Sequence, residues 1–377
     1  MYNQLKNIAL ILAIVIVVTS CRVLIYNIPN LSDYKIFPYR VIRNAPESIF
    51  YFKNSDSLKD LGNEILTNYN TLLPNVLTLN DYVERSKTVV LLVIRNDTIL
   101  YEKYTKNYHE NSIFNTFSVT KIFITTLVGI ACDEGMIKSV DQAITEYLPE
   151  FSEIEGFNEI TIRHLLLHTS GISFSDSRFN PFADNARYYY GRHLRKLVLK
   201  AELFEHPGTE THYSSVNVQL LALILERATG VHLSSFLQEK IWQRIGMQYE
   251  ATWSLDNKRN NPIEKGFSCL NCTAIDLAKI GRLYLNNGVW DNKQILSQDF
   301  ICEATKRDTT DGSCWDFQYN IRFDPMQYDS YYSRGLYGQL LYIHPKKNII
   351  IVRIGEANLK YNPQFMNRII MQIIDQL

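Results

Sequence analysis

Lys121 stands at the head of an apolar run, and that placement limits what the chain can fold into. Ile122 to Cys132 (IFITTLVGIAC) is nearly all apolar or small, so it predicts a helix buried on most sides. A lysine on the first turn of such a helix is carried toward the interior, where an unpaired charge is costly. Three residues earlier stands Ser118, in Phe117-Ser118-Val119-Thr120-Lys121. Residues i and i+3 share a helix face, with Cβ atoms about 5–6 Å apart, so the amine can reach the hydroxyl. A serine is a weak nucleophile until a base stands beside it, and a buried amine can serve as one. Ser-x-x-Lys is also a frequent accident of sequence, with the lysine solvated. Partners elsewhere in the chain must decide between the two.

The bulk numbers permit a full core. Of 377 residues 46% are hydrophobic, with 24 Tyr and 18 Phe, which suits one large or two intimate domains. Lys+Arg and Asp+Glu are both 39, so there is no basic excess of the kind a nucleic-acid partner needs. There is no low-complexity tract and no repeat at a solenoid period. Cys269-Leu270-Asn271-Cys272 is a single C-x-x-C. A structural zinc site needs a second ligand pair, and none stands at suitable spacing, so neither metal nor cofactor is expected. A disulfide among the later cysteines would fit an oxidising compartment, but its pairing is unreadable. Cys132 reads as a small core residue.

The N-terminus reads as a targeting segment. Lys6 precedes the uninterrupted apolar run Ile8 to Val18, followed by Thr19-Ser20-Cys21. The run is short for a span, which needs about 20 apolar residues, and better fits a signal sequence. The small residue before Cys21 resembles a bacterial lipoprotein cleavage box, which would leave Cys21 acylated as the new N-terminus. Two alternatives stay open: an uncleaved anchor over Ile8 to Ile28, and simple secretion. All three place the remainder outside the cytoplasm, and the anchored forms hold it in the bacterial cell envelope. The expected layout is an anchor segment (1–28), a tether packing on the domain (29–80) and the domain itself (81–377). The tether carries Pro29, Pro38, Pro46 and Pro74, with one short helix near Leu58 to Asn70.

Within the domain, Thr88 to Ile94 and Thr98 to Tyr104 predict strands joined at Asn96-Asp97, a hairpin signal. A helical stretch is expected from Ser139, ended by Tyr147-Leu148-Pro149. Ile160 to Ile172 predicts a short helix stopping at Gly171. His164 and His168 lie four apart on it, but no third ligand accompanies them, so structural histidines are favoured over a metal. Helical periodicity resumes at Leu194. Val216 to Thr229 predicts an amphipathic helix closed by Gly230, and Cys272 to Asn286 another. Gly338 to His344 and Asn348 to Gly355 predict strands around Pro345-Lys346-Lys347. A closing helix from Asn362 to Leu377 carries the stripe Phe365, Ile369, Ile370, Ile373 and Ile374. Early and late strands most simply join one antiparallel sheet, with the middle of the chain as a helical lobe. The fold class is therefore α+β, with a site in the cleft between the lobes.

Three spaced elements then coincide: Ser118-Val119-Thr120-Lys121, Tyr213-Ser214-Ser215 and Ser333-Arg334-Gly335. Their order resembles the serine β-lactamase and penicillin-binding-protein superfamily, in its class C and esterase branch. Within it the 6-aminohexanoate-dimer-hydrolase-like group is the nearest in flavour. His168-Thr169-Ser170-Gly171, Pro207-Gly208-Thr209, Asp276-Leu277-Ala278 with Gly281-Arg282, and Gly335-Leu336-Tyr337-Gly338-Gln339 match as well, so the resemblance covers about residues 85 to 377. It implies a β-lactamase/transpeptidase-like fold. It also implies an acylated Ser118, proton transfers shared by Lys121 and Tyr213, and an oxyanion hole from the N–H groups of Ser118 and Leu336. Gly335, Ser215 and Ser333 would line the substrate site. Gly335 matters because the strand must approach the substrate carbonyl without a Cβ.

Two positions depart from the pattern. Ser215 stands where the second motif usually ends in Asn, and Ser215-Val216-Asn217 offers another alignment. Ser333 stands where the third usually begins with Lys or His, the residue that helps hold a substrate carboxylate. Arg334 should point to the opposite face of the strand, which makes it an uncertain substitute. The resemblance implies a serine hydrolase acting on a small ester or amide. The alternatives are a penicillin-binding DD-peptidase or β-lactamase, and a non-catalytic cell-wall-binding homologue.

Overall fold

In a computed structural model of the protein, the strands from both ends of the chain meet in one sheet. The structure describes residues 28–55, 61–64, 78–177, 180, 182–259, 261–308, 314–325, 328–356 and 363–377. Cys21 and nearly all of the anchor segment, most of the expected tether helix, and the Phe365 side chain lie outside the described parts. The strands are β1 (Tyr39–Ile42), β2 (Lys53–Asn54), β3 (Thr88–Arg95), β4 (Thr98–Tyr104), β5 (Phe114–Asn115), β6 (Ala251–Ser254) and β7 (Leu270–Cys272). The later ones are β8 (Val289–Trp290), β9 (Lys293–Gln294), β10 (Phe317–Gln318), β11 (Ile321–Phe323), β12 (Tyr331–Arg334), β13 (Leu340–His344) and β14 (Ile349–Gly355).

The large sheet runs β10-β11-β12-β13-β14-β3-β4-β2. Its ladders are antiparallel except the outermost, where β2 runs parallel to β4. The central pairing, β3 on β14, sets Leu92 opposite Val352. Every residue of β3 but the last is buried, because both faces of the sheet are covered. Val90, Leu92, Ile94, Leu341 and Val352 belong to the main core, while Leu91, Val93, Leu340 and Ile351 belong to a second core on the opposite face. That alternation is the period-two rule of a strand. The second core is closed by Leu79, Tyr82 and Val83 of the helix Leu79–Arg85 and by Ile369, Ile370, Ile373 and Ile374 of the helix Pro363–Gln376. Each fully buried side chain of that size contributes about 1.5–3 kcal/mol.

Asn96 and Asp97 turn the β3–β4 hairpin with φ of 51° and 57°, as a two-residue loop of the favoured hand requires. The helix Ser215–Thr229 ends at Gly230, in the left-handed region at φ 71°. The helix Ala274–Leu285 lies so close on the sheet that a Cβ at Gly281 would stand 2.9 Å from Ile350 Cγ2.

Several expectations are corrected. The stretch from Ser139 to Pro149 forms two 3-10 turns, Ile144–Glu146 and Pro149–Phe151, rather than a helix. Its polar pairs satisfy the backbone locally, Gln142 accepting from the Lys138 N–H at 2.8 Å. The histidine helix is only Ile162–Leu167 and stops at His168, itself left-handed at φ 59°. The stretch read as a tether does more than pack. It supplies β1, antiparallel to β6 in a second, four-stranded sheet ordered β1-β6-β7-β5.

Candidate active site

Ser118 lies in the 3-10 turn Phe117–Val119 that leads into the helix Thr120–Asp133. Lys121, on that helix's first turn, is 1% exposed. Its Nζ donates to Ser118 Oγ at 3.1 Å and to the carbonyl of Phe267 at 2.7 Å. The same Nζ sits 5.2 Å from the centre of the Tyr213 ring. Hydroxyl, amine and phenol ring therefore meet, although nearly a hundred residues separate the last from the first two. The turn before the helix is strained. Phe117 has φ of 46°, a sparsely populated region for a bulky residue that costs on the order of 1–3 kcal/mol. The buried Asn115 holds it there, its Oδ1 accepting from the Phe117 N–H at 2.8 Å while its Nδ2 donates to the Tyr189 hydroxyl at 2.8 Å.

Tyr213 is gripped from the side by His168. The two rings stack at 4.8 Å and 11°. His168 Nδ1 accepts from the Ser214 N–H at 2.8 Å, and the His168 carbonyl accepts from the His212 N–H at 2.8 Å. The backbone on both sides of Tyr213 is thus tied to one residue. Since Nδ1 is the acceptor, Nε2 carries the proton and donates to Asn320 Oδ1 at 2.8 Å. Asn320 Nδ2 in turn donates to Thr125 Oγ1 at 3.1 Å, one turn past Lys121 on the nucleophile's own helix. His168 is fully buried, and that burial pushes its pKa down to about 3, so the imidazole is neutral at ordinary pH. Phe317 meets the Tyr213 ring edge-on at 6.0 Å, and the Arg322 guanidinium lies 5.4 Å from its centre.

The third wall is the end of β12. A Cβ at Gly335 would stand 2.7 Å from the Thr116 carbonyl and 3.1 Å from Ser118 N. Its φ is −114°, so space rather than backbone conformation demands glycine. The loop beyond is braced by Arg353, buried in the middle of β14. It donates to the carbonyls of Tyr337 at 3.1 Å, Gly338 at 2.8 Å and Ser86 at 3.1 Å.

These parts border a cavity of about 380 Å³. Ser118, Tyr213, Ser215, Gly335 and Leu336 line it, and so do Arg322 and Arg334. Ser333 does not: it is 2% exposed and turned inward, while its neighbour Arg334 reaches the cavity. Asn217, of the alternative alignment, is buried and accepts from Ser170 Oγ at 2.6 Å. Sequence reasoning had no role for Asn115, Asn320, Arg322 or Arg353, and took His168 as structural. Arg353 left one signal, an arginine inside the otherwise apolar run Ile349 to Gly355.

A model of the Beta-lactamase family matches residues 78–364. The 6-aminohexanoate-dimer hydrolase of Paenarthrobacter ureafaciens is 26% identical over 310 residues, covering 76% of this chain and 76% of that one. Among solved structures, a Bacillus anthracis protein provisionally described as a 6-aminohexanoate-dimer hydrolase superposes with a TM-score of 0.81 at 22% identity, covering 92% of both chains. A class C β-lactamase superposes with a TM-score of 0.63 at 16% identity, covering 87% of this chain and 99% of that one. Both likenesses are of fold, the β-lactamase/transpeptidase-like fold.

Proposed function

The chain belongs to the β-lactamase family, and from that premise we propose how its residues divide the work of a serine hydrolase acting on esters or amides. Ser118 Oγ attacks the substrate carbonyl, forming a C–O bond, and its proton passes to the Lys121–Tyr213 pair. Collapse of the tetrahedral adduct breaks the bond to the leaving group, which takes that proton. Water then attacks the acyl-serine, gives its proton to the same pair, and Ser118 leaves with it. The N–H groups of Ser118 and Leu336 would hold the oxyanion, each donor typically contributing about 10²–10³ in rate. The observation that carries the assignment is a fully buried amine 3.1 Å from the serine oxygen.

A second reading has its own support. Arg322 and Arg334 line the cavity, so a substrate carboxylate could be held there even though Ser333 replaces the usual basic residue. That favours a DD-peptidase or β-lactamase more than the motif alone does. The N-terminal run supports anchorage to the bacterial envelope, with the catalytic part outside the cytoplasm. Mass measurement of the mature N-terminus distinguishes acylated Cys21 from a retained segment.

The test is a hydrolysis screen of p-nitrophenyl esters, short amides, D-alanyl peptides and nitrocefin, run on the wild type and Ser118→Ala. We expect turnover of at least one ester or amide, lost by a factor of about 10³ or more in the variant. Equal activity in the two proteins would remove Ser118 from the mechanism. Binding without turnover in either would support the non-catalytic alternative.

A further inference from the structure

We infer that the mouth of the catalytic cavity faces a lipid surface, and that the substrate is an amphiphile held in that surface: an ester or amide with an apolar tail. The inference rests on the hydrolase reading above and on the proposed N-terminal anchor.

The first observation is where the described chain begins. Ile28 and Pro29 are themselves part of the cavity wall, alongside Ser118 and Leu336. The Tyr337 hydroxyl donates to the carbonyl of Pro29, so the arm is tied to the loop that follows Gly335. It is clamped again four residues on. Asp33, 2% exposed, accepts from the Asn30 N–H at 2.9 Å and from the Tyr190 hydroxyl at 2.7 Å. Phe37 meets Tyr189, another cavity residue, edge-on at 5.4 Å. The arm therefore holds a fixed position at the mouth.

The second observation is how little chain lies between the mouth and the apolar run. Ile28 lies ten positions after Val18 and seven after Cys21. Fully extended, these span at most about 35 Å and about 25 Å. Whichever form the anchor takes, the mouth is kept within that reach of the bilayer. Among the described residues no single helix is long and apolar enough to cross a membrane.

The third observation is what the surface offers there. Ile28 is 53% exposed, Phe182 72%, Phe204 54% and Trp315 45%. Each sits on a segment that reaches the site. Phe182 is three residues from Asn185 of the cavity wall. Phe204 packs on His212, the neighbour of Tyr213. Trp315 is two residues from Phe317, whose ring abuts Tyr213. Exposed aromatic side chains of this kind favour the membrane–water interface.

The four tryptophans make the test direct. Trp242, Trp253 and Trp290 are fully buried, and Trp315 is the exposed one. The full chain is reconstituted in vesicles of phosphatidylcholine with phosphatidylglycerol, with and without acyl-brominated phosphatidylcholine. The expected result is flotation with the vesicles and quenching of tryptophan emission by the brominated lipid, quenching that Trp315→Phe removes. A long-chain p-nitrophenyl ester dissolved in the vesicles should turn over at least about ten-fold faster than the water-soluble acetate, because its apolar chain concentrates it in the bilayer that the mouth faces. Phe182→Ser with Trp315→Ser should lower the first rate and leave the second unchanged. Emission indifferent to brominated lipid, failure to float, or equal rates for the two esters overturns the inference. Protection of Trp315 by a protein partner with no lipid quenching also overturns it. If Ser118→Ala hydrolyses the soluble acetate as the wild type does, the hydrolase reading fails instead.

Discussion

At the scale of single residues, the site depends on His168 being neutral. Its Nδ1 must accept from the Ser214 N–H, and a protonated ring has no acceptor there. Burial holds its pKa at about 3, below the ordinary value near 6.5. The unfolded chain therefore takes up this proton as the pH falls below 6.5, and the folded chain does not. Stability from this residue is complete above pH 6.5 and is lost as the pH falls toward 3, by about 1.4 kcal/mol per unit. Between pH 6.5 and 5 that amounts to about 2 kcal/mol. His168→Asn keeps an acceptor, tolerates the left-handed backbone and removes the titration. Urea unfolding at the two pH values should show a fall in stability about 2 kcal/mol larger in the wild type than in this variant. Equal falls would mean that the histidine is not kept neutral by the fold.

The Ser118–Lys121 contact was legible in the sequence from residue type and short spacing, whereas Tyr213 had a role only through the order of motifs in the family resemblance. Asn320 and Arg353 were not. Nothing local marks Asn320, which acts only because folding sets it between Thr125 and His168.

At the scale of elements, the helices and strands with strong periodicity form where expected, while boundaries moved where side chains competed with the backbone. Gln142 and the left-handed His168 are two such places. The helix Ala274–Leu285 shows why one motif matched without carrying chemistry. Asp276, fully buried, accepts from the N–H groups of Gln248 at 2.6 Å and Tyr249 at 3.0 Å. It also pairs with Lys279 at 3.1 Å, and Lys279 donates to the Gly246 carbonyl at 2.7 Å. This helix start thus fastens the 246–249 turn to the body of the protein. Asp276→Ala would leave the Lys279 ammonium buried without its carboxylate, and breaking such a pair costs about 3–5 kcal/mol. Denaturant unfolding should show that loss. Esterase or amidase constants measured on the folded fraction should stay near those of the wild type. A large change in kcat with little loss of stability would contradict a purely structural role.

At the scale of the whole molecule, the α+β architecture was readable because its sheet is built from the two ends of the chain with clean alternation. The smaller sheet was not. Its strands are three or four residues or fewer, and β1 finds its partner β6 more than two hundred residues away. Such pairing leaves no periodic trace in either segment. The consequence for the molecule is that the N-terminal arm is woven into the domain and passes the cavity on its way in.

The central claim is that these long-range pairings ready one serine to attack a substrate carbonyl. Rapid mixing with an activated ester, acid quench and peptide mass mapping measure it most directly. The expected result is a transient acyl mass on the peptide containing Ser118, absent in Ser118→Ala and formed at least about a hundred-fold more slowly in Tyr213→Phe. An acyl group on another residue, or steady hydrolysis with no acyl-enzyme at any time, would contradict it.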